Sequence, residues 1–101
     1  MAAYWVGRVK IHDPVQFKKY TDCIPAIFAE WGAKVMTRGG KYEVLEGPDN
    51  FERYVVVEFP SFEAAITCHD SDAYKAAMSH RQTGHVSTSE LVIIEGGEFT
   101  R

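Results

Sequence analysis

The chain has 101 residues, 11 lysines and arginines against 14 acidic residues for a net charge of −3, and is 46% hydrophobic and 25% charged. That is length for one domain, residues 1–101, with a single core, and a composition that excludes disorder. The acidic balance argues against a nucleic-acid partner, which calls for a basic stripe, and the apolar runs, such as Leu91-Val92-Ile93-Ile94, fall far short of the roughly 20 residues that span a membrane.

Residues 4–11 alternate and are rich in Tyr, Trp, Val and Ile, which predicts a strand. Asp13-Pro14 then opens a helix, with Asp as N-cap and Pro at the first helical position. Phe17, Tyr20, Ile24, Ile27, Phe28 and Trp31 give it one apolar face, and Gly32 ends it. Pro25 inside the pattern removes the hydrogen bond to the Thr21 carbonyl, so a kink is expected. Residues 33–38 and 41–46 flank Gly39-Gly40 as a predicted tight hairpin, with Val35 opposite Val44 and Ala33 opposite Glu46. Alternation there sets Glu46 beside Tyr42 and Val44 on one face, and Arg38 with Lys34 and Met36 on the other.

Arg53 to Phe59 is the next strand, and Pro60-Ser61 starts a helix with Phe62, Ala65, Ile66 and His69 on one stripe. Ser71-Asp72 interrupts it and caps a third helix, whose stripe is Tyr74, Ala77, Met78 and Arg81. Glu90 to Glu95 is the last strand. The order β-α-β-β-α-β, with the second helix in two pieces, predicts an α+β, ferredoxin-like fold with an antiparallel sheet and helices on one face. The other face carries too many apolar residues to stand in water, and a second copy is the simplest cover, so a homodimer through the sheet is expected. The first eight residues show no secretory leader pattern, and Cys23 and Cys68 form no CxxC; two reduced thiols in a cytoplasmic protein are expected.

Three ionisable side chains fall on otherwise apolar faces. Arg81 anchors an oxyanion of a small ligand, forms a structural ion pair for which Glu46 is a candidate partner, or is a last-turn cation reaching water. Glu46 is a candidate general base or acid, or an edge residue reaching water. His69 is a candidate proton shuttle, or a hydrogen-bonded core histidine. Cys68-His69-Asp70 is not a triad, because helical neighbours point about 100° apart. The four histidines show no HxH or HxxxH pair, so no metal site is expected. No GxGxxG or P-loop is present, so no cofactor is expected either.

The order and spacing of Tyr4, Asp13-Pro14, Tyr20, Arg38-Gly39-Gly40, Glu46-Gly47, Arg53, Glu58-Phe59-Pro60-Ser61, Ala65, Ser71, Tyr74, Arg81 and Glu95-Gly96 continue along nearly the whole chain. This pattern resembles the small bacterial family known as domain of unknown function 1330, within the dimeric α+β barrel superfamily. The resemblance implies a protomer whose sheet pairs with that of a second copy, and a ligand pocket between sheet and helices lined by Tyr20, Arg38, Glu46, Tyr74 and Arg81. It supplies no reaction, and relatives in the wider superfamily include cofactor-free monooxygenases, isomerases, haem-binding enzymes and stress-response proteins. Cys68-His69 and Ser71-Asp72-Ala73 depart from the family pattern. The leading expectation is a cofactor-free enzyme for a small acidic or phenolic metabolite, with Arg81, Arg38, Tyr20 and Tyr74 binding and Glu46 or His69 moving a proton. The alternatives are a non-catalytic binding or stress-associated module, a structural dimer with an internal Arg81–Glu46 pair, and a haem protein using His69, His80 or His85.

Overall fold

The computed structural model describes residues 1–97. Seven elements follow in order: β1 (Ala3–Ile11), α1 (Pro14–Glu30), β2 (Lys34–Arg38), β3 (Arg53–Phe59), α2 (Phe62–Asp70), α3 (Asp72–Gln82) and β4 (Ser87–Glu95). The strands form one antiparallel sheet in the order β2-β3-β1-β4, with the helices on one side: the expected ferredoxin-like fold.

Local chemistry sets the helix ends. The Asp13 side chain accepts from the Gln16 N–H at 3.1 Å, and Gly32 at φ +69° lets the Ala33 N–H return to the Phe28 carbonyl at 2.9 Å. Pro25 is accommodated inside α1, which runs helical to Glu30. Ser71 serves two helices: its N–H and hydroxyl both donate to the Cys68 carbonyl, closing α2, and its oxygen accepts from the Tyr74 N–H, opening α3.

The core is a set of rings between helices and sheet. Trp5 of β1 stands against Phe28 of α1, Phe59 of β3 and Tyr74 of α3, with ring centroids 5.1–5.6 Å apart. Such offset and edge contacts add to the burial of the rings themselves. Helix α2 buries Ala65 and Cys68, leaving Phe62 and Ile66 at its exposed flank. The open face of the sheet carries Val6 paired with Val56 and Val92, and Tyr4 with Ile94. Val92 and Ile94 remain more than half exposed there.

The predicted hairpin is the main correction. Residues 41–46 form no strand, and β2 pairs with β3 instead, Lys34 opposite Glu58 and Val35 opposite Val57. That register sets opposite charges on one face and two valines on the other, whereas the hairpin would set Arg38 opposite Lys41 and Ala33 opposite Glu46. Tyr42 folds back onto Tyr54, centroids 5.0 Å apart, and donates its hydroxyl to the Phe51 carbonyl. The last strand also begins earlier than predicted, at Ser87 rather than Glu90.

Among the described residues no helix is long and apolar enough to cross a membrane.

Candidate functional site

A cavity of about 270 Å³ lies between α1 and the helix-facing side of the sheet. Its floor follows from the strand registers as two rows that cross the sheet. One row is Arg38, Val55, Gly7 and Leu91; the next is Arg53, Val9 and Ser89. Gly7 sits where alternation with Trp5 and Val9 directs a side chain toward the helices. A Cβ built there meets only ordinary contacts, Leu91 Cδ1 at 3.4 Å and the Glu90 carbonyl at 3.7 Å. The glycine therefore leaves a gap in the middle of the floor, as strand glycines do where something must approach the backbone. Phe17, Tyr20, Thr21, Ile24, Pro25 and Phe28 of α1 form the roof. Since Pro25 has no N–H to offer, the Thr21 carbonyl loses its helical partner on this wall.

At the β4 end the wall is polar. Arg81 is 7% exposed, and its guanidinium donates to the Ser89 hydroxyl at 2.8 Å and to the Tyr74 hydroxyl at 3.2 Å, with the Tyr20 ring 5.1 Å beneath it. The Tyr74 and Tyr20 hydroxyls are 2.8 Å apart. Either hydroxyl can donate in this bond, and both line the cavity beside Arg81. Burial and then Tyr74 push the Tyr20 phenol well above its ordinary range, with Arg81 opposing in part, so it is a neutral donor at physiological pH. Burial works against the Arg81 charge, but the two tyrosines outweigh it and hold the guanidinium above its usual range.

Arg38 and Arg53 stand at the opposite, β2–β3 end. Simple alternation sets Arg38 on the face away from Val35. A bulge between Val35 and Thr37 shifts the register by one, so Arg38 pairs with Val55 and joins the cavity wall. Arg53 shares that face through its alternation with Val55 and Val57. Its guanidinium lies 5.8 Å from the Phe17 ring.

Of the residues singled out from sequence, Tyr20, Tyr74, Arg81 and Arg38 thus line one cavity. Glu46 and His69 do not. Glu46 is exposed in the segment that the predicted hairpin would have made a strand, and the Arg81–Glu46 ion pair is not formed: Arg81 is held by hydroxyls. His69 lies behind the cavity wall, against Trp5 and Tyr74 at 5.7 and 5.3 Å, with Nδ1 3.4 Å from Asp70. Of the other proposed haem ligands, His85 stacks on His12 at 3.9 Å, and neither it nor His80 lines the cavity. No group of three metal-ligating side chains gathers among the described residues. Sequence reasoning missed Arg53, Ser89 and Gly7; the shared parity of Arg53, Val55 and Val57 on β3, and a glycine in mid-strand, were the available signals.

Over residues 2–97 the sequence matches the family described as domain of unknown function (DUF1330). The chain belongs to this family. A protein of unknown function from Rhodopseudomonas palustris has a similar structure, with a TM-score of 0.74 at 21% identity, covering 96% of this chain and 83% of that one. SnoaB, a cofactor-independent oxygenase from Streptomyces nogalater, aligns at 0.62 and 17% identity over 96% of this chain and 94% of its own. A protein from Bacteroides fragilis, described as dimeric, of unknown function and ferredoxin-like, aligns at 0.62 and 13% identity over 94% and 96%. At these identities the likeness shows the fold alone. A search of curated protein sequences finds no match.

Proposed function

We propose that this DUF1330 protein is a cytoplasmic homodimer that binds a small acidic or phenolic metabolite in the cavity over Gly7 and acts on it without a cofactor, by stabilising its oxyanion. The observation that carries this is the Tyr20–Tyr74–Arg81–Ser89 cluster, in which a nearly buried cation has hydroxyls but no carboxylate around it. A buried charge without a counter-charge is costly, and an anionic ligand offsets that cost. A phenol or enolisable carbonyl whose oxygen meets the Tyr20 hydroxyl is held in its electron-rich anionic form, because preorganised donors favour the state in which charge has developed. That the SnoaB relative is a cofactor-independent oxygenase supports chemistry of this type on the fold. The half-exposed Val92 and Ile94, and the relative described as dimeric, support pairing through the open sheet face. Two unbridged thiols, Cys23 and Cys68, support the cytoplasmic setting.

One observation favours binding without turnover: neither Glu46 nor His69 reaches the cavity, so no general base from the predicted pair faces a ligand there. Titration with 4-nitrophenol distinguishes the cases that matter. The wild type is expected to raise the phenolate absorbance saturably below the free phenol's pKa, and Arg81→Met to abolish the effect. No spectral change with the wild type would count against an oxyanion site.

A further inference from the structure

Arg38 and Arg53 are the cations that the oxyanion cluster does not use. They come from different strands and arrive on the same wall only because the β2 bulge re-aims Arg38. Among the described residues neither guanidinium donates a hydrogen bond to, or forms an ion pair with, another protein group; Arg38 is exposed at the cavity rim, and Arg53 is partly buried with its guanidinium 5.8 Å from the Phe17 ring. The one carboxylate on the cavity lining, Glu90, is engaged by Arg8 at 2.8 Å. Resting on the reading of the cavity as an oxyanion site, we infer that Arg38 and Arg53 form a second, separate clamp, and that the ligand is a planar hydroxy-carboxylate lying across β1, with its carboxylate on this pair and its hydroxyl oxygen on Tyr20.

The sheet geometry sets the span. Arg53 and Ser89 are cross-strand partners of the same residue, Val9, so their backbones stand two strands, roughly 10 Å, apart. A ligand that meets both ends must therefore cross β1, with one polar group over β3 and the other over β4. The floor beneath it is Gly7 between Val55 and Leu91, flat and apolar, and the roof is Phe17, Ile24 and Phe28. A guanidinium pair is suited to a carboxylate because its planar fork matches two oxygens at once, whereas a phenolic oxygen needs only the single donor that Tyr20 supplies. The two ends therefore differ in kind, and the ligand's orientation is fixed by which group each recognises.

The test compares two probes, 4-hydroxybenzoate and phenol, by isothermal titration calorimetry on the wild type, Arg38→Gln/Arg53→Gln and Arg81→Met. The wild type is expected to bind 4-hydroxybenzoate at least tenfold more tightly than phenol. The double variant should lose that advantage while keeping its phenol affinity, and Arg81→Met should weaken both. Arg53→Lys, which keeps charge but not the fork, should fall between wild type and the double variant, and it covers the case in which the double variant fails to fold. Phenol binding with no gain from the carboxylate, or a double variant that retains the gain, overturns the clamp and leaves the oxyanion site standing. Binding of neither probe to the wild type overturns the oxyanion site and the clamp with it.

Discussion

Replacing Arg81 with methionine separates a ligand anchor from a structural keystone. Methionine keeps much of the aliphatic stem, so the loss is confined to the guanidinium. Two charge-assisted hydrogen bonds, to Ser89 at 2.8 Å and Tyr74 at 3.2 Å, are each worth about 1.5–3 kcal/mol, and contact with the Tyr20 ring adds roughly 1 kcal/mol. Against that stands relief from a buried charge that no carboxylate compensates, itself several kcal/mol. Tyr74 and Ser89 are left with rotatable hydroxyls, and Tyr74 keeps Tyr20 as a partner. The opposing contributions are of similar size, and the net change is expected within about 2 kcal/mol of wild type in either direction, where an internal ion pair would cost about 3–5 kcal/mol on losing one partner. Urea unfolding at fixed protein concentration, with the slope checked for constancy, measures the difference. A loss above about 3 kcal/mol, or a folded Arg81→Met protein that still enhances nitrophenolate absorbance, would refute the reasoning.

Four further outcomes follow from the same structure. Cys68 is fully buried, and burial, followed by the nearby Glu30, pushes its thiol up to about 11; iodoacetamide at pH 7.5 should label Cys23 in the native protein and reach Cys68 only on unfolding, read by peptide mass spectrometry. Tyr20 is held neutral in the fold above its unfolded value of 10.0, so the unfolded chain loses this proton first and stability should fall as pH rises above 10, by about 1.4 kcal/mol per unit from this group. Urea titrations at pH 9, 10 and 11 should show a shallower decline in Tyr20→Phe, and an equal slope would contradict the assignment. Ser71→Ala removes the cap of α3 and one closure of α2 and should lower stability by about 1–2 kcal/mol. Val92→Glu puts a charge on the apolar open face of the sheet, on its edge strand β4, and should convert a dimer to monomer in sedimentation velocity; a wild-type monomer would contradict pairing through that face.

Much of the fold was legible because local signals agreed. The Asp13, Ser61 and Ser71 caps, Gly32 as a stop, and the alternation of β1 and β3 each point to the element that forms. The hairpin failed because a Gly-Gly turn specifies a reversal without specifying the next partner. Strand β3 offered β2 a matched register, with Lys34 on Glu58 and Val35 on Val57, which residues 41–46 could not better. That failure carried Glu46 away from the site, since its placement depended entirely on the predicted strand. His69 is kept from the cavity for a smaller reason. Helix α2 turns its Ala65–Cys68 line inward, small residues that let it sit close to the sheet, and the Phe62–Ile66–His69 stripe is left at the flank.

A pocket between sheet and helices was expected only through the family resemblance, and Tyr20, Arg38, Tyr74 and Arg81 line it while Glu46 does not; its shape was not legible in the residues themselves. It arises from a glycine in β1, an α1 that stands clear of that glycine, and a one-residue bulge in β2, none of which has a periodic signature. Arg81 could be singled out because periodicity set a cation among apolar neighbours. Arg53, at a strand start, looked like any surface arginine until the registers set it in a row with Val9 and Ser89.

The claim that most needs testing is that a small anion occupies the space above Gly7. Gly7→Leu fills that space from the floor without backbone strain, since an added Cβ meets nothing closer than 3.4 Å, and it leaves Arg81, Tyr20 and Tyr74 untouched. Titrating 4-nitrophenol into wild type and Gly7→Leu should give a saturable phenolate signal in the first and none in the second, with both proteins folded. The same saturable signal in both would locate the ligand elsewhere and contradict the account.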